Sequence, residues 1–249
     1  MALLVACLNG PRTTGVPLTP AALAAAAVEA VEAGAGELHL HAKGADGVDS
    51  LQPDEVAAAL VAVRSALQAA GRGEVRVGVT TGAWAAPDAV ERLQAVSRWH
   101  VLPDCASVNW HEEGAEELCA LLLGRGVAVE AGVWTAEAAT AYVSSPLAPR
   151  CHRVLVEVID RPPEQGLALA RGMLAQLSGP GLPPALLHGE GFGVWEVLDL
   201  AVGLGLDTRI GLEDAELLPG GEPATGNAQL VHAALARGAG EARRAPSGR

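Results

Sequence analysis

Residues 19–47 read TPAALAAAAVEAVEAGAGELHLHAKGADG and hold a complete passage from helix to strand. Thr19 can cap the helix with its hydroxyl, and Pro20 fits the first helical position because its missing amide would have no partner there anyway. An Ala-rich run follows, and Gly34 stops it. The run Glu37 to His41 is short, apolar at alternate positions, and predicts a strand. Alternation of faces points His39 and His41 the same way, with Leu40 toward the opposite side.

The same grammar repeats outward from this unit. Strands are predicted at Leu3–Cys7, Glu37–His41, Val75–Val79, Cys105–Asn109, Val127–Ala131, Arg153–Glu157, Ala185–His188 and Thr208–Leu212. Helices open at Pro53-Asp54-Glu55, with acids in the first turn where the helix dipole favours them, and at Pro162-Pro163-Glu164. Others are expected within EEGAEELCALLLGRG and over Val194–Gly203. Eight β-then-α units in 249 residues match an α/β chain folded as a (β/α)8 TIM barrel. A doubly wound sheet is disfavoured because no GxGxxG follows the first strand. No Pro-, Gly- or Ser-rich linker divides the chain, so residues 1–237 are expected to form one barrel domain. Residues 238–249, GAGEARRAPSGR, are expected to form a mobile tail.

Composition narrows the function. Half the residues are hydrophobic but only 3% aromatic, so the core is one of Leu, Val and Ala. A formal net charge of -12 disfavours nucleic acid and anionic membrane as partners. Cys7, Cys105, Cys119 and Cys151 are widely spread with no CxxC, which fits free thiols in a reducing cytosol. MALLVACLNG lacks the basic start and the apolar length of a signal peptide, so a cytoplasmic protein is expected. No run reaches the ~18 apolar residues of a membrane span.

In a barrel the chemistry sits at the carboxyl ends of the strands. That rule selects Asn9, His39, His41, Thr80, Thr81, Ser107, Asn109, Glu130, Glu157, His188, Glu190, Arg209, Glu213 and Asp214. Two imidazoles on one strand face supply most of a zinc site. Glu213, beyond strand eight, is the expected third ligand, because strand eight neighbours strand one in a closed barrel. A His2Glu set leaves a position open, as catalytic zinc requires. Asp214 is then placed to act as a general base. Arg209 shares a face with Glu213 and suits either a structural ion pair or catalysis. Glu130 ends an apolar strand, and either pairs with Arg209, sits on the rim, or acts in catalysis. Ser107 and Asn109 share a face and suit hydrogen bonds to a polar ligand or loop caps, as do Thr80 and Thr81. His188 and Glu190 flank a glycine turn that allows a ligand near the backbone.

Four stretches, ELHLHAKGADG, PDCASVN, TRIGLEDAELL and GNAQLVHAAL, together resemble the β-keto acid cleavage enzyme family over nearly the whole chain. The resemblance implies a (β/α)8 barrel with zinc on His39, His41 and Glu213. It also implies condensation of a β-keto acid with acetyl-CoA, followed by C–C cleavage to acetoacetate and a new CoA thioester. On the same resemblance Asp214 takes the proton alpha to the keto group, Arg209 assists it, and Thr80 and Ser107 place hydroxyls near the substrate. A homo-oligomer, dimer or tetramer, is implied as well. The chain departs from the family's pattern at several mouths. Arg12 replaces an acid after strand one, and Gly132 replaces the second acid of strand five. Gly189-Glu190-Gly191-Phe192 replaces a Gly-Ile-Gly-Arg stretch, and Ala215 follows the Glu-Asp pair in place of Asn. Two rivals stand beside this reading. One is a metal-dependent hydrolase, which would want further histidines on strands five and six. The other is a non-catalytic small-molecule binding protein on the same barrel.

Overall fold

The computed structural model describes residues 2–240. Its strands are β1 (Leu4–Cys7), β2 (Glu37–Leu40), β3 (Arg76–Thr80), β4 (Cys105–Asn109), β5 (Ala128–Val133), β6 (Arg153–Ile159), β7 (Ala185–Glu190) and β8 (Thr208–Ile210). Its helices are α1 (Pro20–Glu32), α2 (Pro53–Ala69), α3 (Ala89–Ser97), α4 (Ala115–Gly124), α5 (Ala136–Ser144), α6 (Pro163–Gln176), α7 (Val194–Leu204) and α8 (Asn227–Ala236). The strands are all parallel and run in the order β7-β6-β5-β4-β3-β2-β1-β8. The seam between β7 and β8 is drawn together by the Leu187 amide on the Asp207 carbonyl at 3.0 Å and the Thr208 hydroxyl on the Leu187 carbonyl at 2.8 Å. The expected TIM barrel is the observed fold.

The local signals act where the sequence places them. The Thr19 hydroxyl accepts the Ala22 amide at 3.2 Å, and Gly34 adopts a φ of 115° just beyond α1. Leu40 is fully buried among the helices, on the face opposite the two histidines. The outer core between sheet and helices is one continuous apolar cluster. Inside the barrel the apolar part is small: Val5, Cys7, Leu155 and Leu186. Polar side chains fill the rest of the interior, so they must satisfy one another.

One expectation is corrected. Strand eight ends at Ile210, not Leu212. Gly211 passes so near β1 that a Cβ there would lie 1.8 Å from the Cys7 carbonyl oxygen. The chain then turns, with the Asp214 and Ala215 amides on the Gly211 carbonyl. Glu213 therefore projects from a turn rather than from the strand. Just beyond α8, Ala239 is buried and its amide bonds the Ala234 carbonyl at 3.1 Å. Of the expected tail, residues 241–249 lie outside the described residues.

Candidate metal centre and cavity

The Cα register sets Cys7 beside His39 and Ala6 beside Ile210, so β1 is flanked by β2 and β8. This brings His39, His41 and Glu213 to one point at the carboxyl ends of the strands. Their ligand atoms all lie within 4.8 Å of one another. His41 Nε2 is 3.5 Å from Glu213 Oε1, and His39 Nε2 is 3.9 Å from Glu213 Oε2. Tetrahedral zinc with bonds of about 2.0–2.1 Å sets its ligand atoms about 3.4 Å apart. Glu213 Oε2 is buried with no hydrogen-bond partner, as is His39 Nδ1. Unsatisfied buried acceptors of this kind are costly unless something binds them. The donor set and the unpartnered oxygen both fit a divalent ion. Gly10 gives Glu213 its room: its φ is 57°, and a Cβ there would lie 2.6 Å from Glu213 Cγ.

Behind His41 lies a support that the sequence reading did not find. Asp49 Oδ2 sits 2.7 Å from His41 Nδ1 and accepts Trp84 Nε1 at 2.7 Å, while Asp49 Oδ1 pairs with Lys43 Nζ at 2.5 Å. Lys43 Nζ also donates to the Gly10 and Arg12 carbonyls. Asn9 Oδ1 accepts the His41 amide at 2.8 Å and Asn9 Nδ2 donates to the His41 carbonyl at 2.9 Å. Asp49 reaches His41 because the chain folds back on itself between Lys43 and Asp49. A carboxylate behind a ligating imidazole fixes its tautomer and orientation. The only available signal was an acid eight residues after the histidine, in a loop with several acids.

The two imidazoles have different electrostatics. Burial lowers His39 to about 4, beyond what Glu213 restores, so its ring is neutral and ready to ligate. Burial also works against charge on His41, but Glu213 and Asp49 outweigh it and raise that ring to about 9. Burial raises the Glu213 carboxyl, yet Arg209 and the two histidines hold it well below the usual carboxylate range.

A cavity of about 280 Å³ opens above this cluster. Expected residues that line it are His39, His41, Thr80, Ser107, Asn109, Glu157, Glu190, Arg209 and Glu213. Trp84 and Trp134 form one wall, their rings stacked 6.3 Å apart, and Trp84 continues the stack onto His41 at 6.1 Å. Neither tryptophan was singled out from sequence, because a loop aromatic carries no periodicity. Asp214 and Glu130 do not line the cavity. Asp214 is fully buried beside Arg209, whose Nη2 lies 2.9 Å from Glu213 Oε1 and 3.4 Å from Asp214 Oδ1. Glu130 pairs with Arg153, not with Arg209 as one expectation had it. Arg153 also pairs with Glu37 at 2.6 Å. The Cα register sets Glu130 beside Arg153, which fixes that ion pair below the cavity.

Comparison with known proteins decides the family. A profile described as "BKACE: beta-keto acid cleavage enzyme" matches residues 3–145 and 156–247. The chain belongs to the beta-keto acid cleavage enzyme family. No curated protein sequence matches it significantly. Among solved structures, it is similar to the type I 3-dehydroquinate dehydratase of Clostridium difficile, at 13% identity and a TM-score of 0.59, covering 95% of this chain and 92% of that one. It is similar to the homocysteine methyltransferase MmuM of Escherichia coli at 14% identity and a TM-score of 0.58, covering 95% of each chain. Similarity to a mandelate racemase/muconate lactonizing enzyme from Roseiflexus sp. has 16% identity and a TM-score of 0.52, covering 86% of this chain and 56% of that one. These likenesses at low identity establish the barrel alone. The family match supports enzymatic β-keto acid chemistry on it, with a small-molecule substrate. No described helix is long and apolar enough to cross a membrane.

Proposed function

We propose that this protein is a zinc-dependent acyl-exchanging C–C lyase. It would condense a β-keto acid with acetyl-CoA and cleave the adduct to acetoacetate and a new CoA thioester. The exchange balances: R–CO–CH2–COO⁻ and CH3–CO–SCoA become CH3–CO–CH2–COO⁻ and R–CO–SCoA. The observation that carries this reading is the convergence of His39, His41 and Glu213 at the cavity floor in a chain of this family.

A divalent ion held by those three residues would supply Lewis acidity at the keto oxygen, which favours an enolate. The protein's own groups do the rest. Thr80 and Ser107 present hydroxyls on adjacent strands and suit the substrate carboxylate, with Asn109 and Glu190 completing the polar lining. Arg209 is a fixed cation at the cavity edge and stabilises negative charge as it develops on the substrate. Asp214, joined to Arg209, is the general base by resemblance to the family. Glu130 holds the layer beneath through its ion pair with Arg153 and has no contact with substrate. Trp84 and Trp134 screen the site from water on one side. A cytoplasmic homo-oligomer belongs to the same reading.

Two measurements test it together: elemental metal content and acetoacetate formation from β-keto acids with acetyl-CoA. We expect about one zinc per chain, lost in His39→Ala/His41→Ala, with turnover lost alongside. A wild-type protein that takes up no metal even after incubation with zinc refutes the proposal. Turnover of esters or lactones without acetyl-CoA would favour the hydrolase instead. Zinc binding without turnover of either class would favour the binding protein.

A further inference from the structure

The cavity is not polar all round. Glu190, Arg209, Glu213, His39 and His41 reach it from β7, β8 and β2 and from the ends of those strands. In a closed eight-stranded barrel β5 and β6 stand opposite β1 and β2. There the wall is largely apolar. Trp134 follows β5, Leu155 and Ile159 lie on β6, and Trp84 joins them from the loop after β3. Leu155 and Ile159 are an even number of residues apart on one strand, so both turn to the same face.

The two indoles are 29° from parallel, and exposed His111 packs against Trp134 with ring centroids 4.4 Å apart. Trp84 keeps 45% of its surface exposed. Covering such a face with an apolar ligand removes it from water, and a ring gains further by stacking on it. Among the described residues this wall carries no spare charge. Arg12 turns outward to Glu216 and to the Leu212 carbonyl at 2.9 Å. Gly132, near the end of β5, has no side chain, and Asn109 Oδ1 occupies the space a Cβ would take. Glu157 Oε2 lies 3.3 Å from His188 Nε2, and Glu213 pairs with Arg209. Burial and the neighbouring carboxylates push Glu190 up to about 8, so at neutral pH it holds a proton.

We propose that Trp84 and Trp134 form the acyl-chain subsite of this enzyme and select a β-keto acid whose R group is uncharged and aromatic. This inference rests on the β-keto acid reading above. With the keto acid end held at the histidines, Thr80 and Ser107, the R group points across the barrel to the indoles and meets Leu155 and Ile159 beside them. The cavity of about 280 Å³ lies at the small end of ligand pockets, which span about 300–1,000 Å³, and suits one ring rather than a long chain. Trp134 is the residue to vary. Trp84 also bonds Asp49 behind His41, whereas Trp134 Nε1 has no hydrogen-bond partner among the described residues, so its removal breaks none.

The test is calorimetric titration of the zinc-incubated protein without CoA. The probes are 3-oxo-3-phenylpropanoate, 3-oxopentanoate, the ammonium-bearing 5-amino-3-oxopentanoate and the dianionic 3-oxohexanedioate. Acetoacetate formation from each with acetyl-CoA is followed in parallel. Wild type should bind the phenyl acid about tenfold or more tighter than each of the others, the size of a good aromatic stack. Trp134→Leu keeps apolar bulk and removes the ring, so the preference for phenyl over ethyl should fall about fivefold or more. Trp134→Phe should keep most of it. An unchanged preference in Trp134→Leu overturns the assignment. Tighter binding of the ammonium or dianionic acid, with acetoacetate still formed, overturns the aromatic class and leaves the β-keto acid reading standing. If Trp134→Leu does not fold, Ile159→Asp at the half-buried end of β6 takes its place. It should shift preference from the phenyl to the ammonium acid, and an unshifted preference overturns the proposal. Neither binding nor turnover of any of these acids overturns the β-keto acid reading itself, and this inference with it.

Discussion

Asp49→Asn separates the support of the proposed metal ligand His41 from the ligand itself. The substitution keeps the shape of the side chain and removes its charge. Two consequences follow from the geometry. First, His41 Nδ1 loses the carboxylate 2.7 Å away, so the ring is no longer held in one tautomer and orientation. Loss of such a support weakens metal binding about 10- to 100-fold, or about 1.4 to 2.7 kcal/mol. Second, Lys43 loses its only charged partner among the described residues while its side chain stays fully buried, with the Gly10 and Arg12 carbonyls as remaining acceptors. An uncompensated buried ammonium costs about 3–5 kcal/mol of stability. The two effects are separable. In Lys43→Met/Asp49→Asn the buried charge is gone, so stability should recover most of that loss while metal affinity stays low. The assay is zinc titration against a competing chelator, with urea unfolding of the metal-free proteins in parallel. Metal affinity in Asp49→Asn within about threefold of wild type would refute the supporting role. Recovery of metal affinity in the double variant would show that the effect passed through general stability instead.

Two other outcomes follow from the same coordinates. Gly211→Ala should cost about 2 kcal/mol or more and reduce zinc content, because the added methyl meets backbone at the Cys7 carbonyl and displaces the turn that carries Glu213; a normal melting temperature and normal zinc content would contradict this. Burial raises the Glu130 carboxyl, but Arg153 outweighs it and leaves it below its ordinary value of 4.5. Its stabilisation is therefore present above that value and lost as pH falls through the folded one. Glu130→Gln should be less stable than wild type at neutral pH, by about 3 kcal/mol, and should lose less on acidification, as urea unfolding at both pH values would show.

Much of this protein can be read along the chain. The Thr19-Pro20 start, the Gly34 stop and the H-x-H alternation are local facts, because caps, turns and strand faces depend on neighbours within a few residues. Repeated eight times they allow little besides the barrel, and the barrel nominates the strand ends. That was enough to bring His39, His41 and Glu213 forward as one set, since strand order in a closed barrel places β8 beside β1 and β2 next to it. The end of β8 was misread because the reason lies across the sheet: Gly211 abuts the Cys7 carbonyl, a contact between residues about two hundred positions apart.

What the tertiary structure decided is which polar groups share each buried space. Glu130 could have met Arg209 by the pattern of its strand, and the register instead gave it Arg153. Asp49 stands behind His41 only because a loop folds back, and Trp84 joins them through a bond to the same oxygen. Asp214 follows the proposed ligand Glu213 in sequence, yet its side chain lies behind Arg209, while Glu157 from a different strand faces the cavity. The residue types and their strand positions are properties of the chain. The pairing of charges inside the barrel is a property of the closed sheet, because in a low-dielectric interior each buried charge must find its partner across strands.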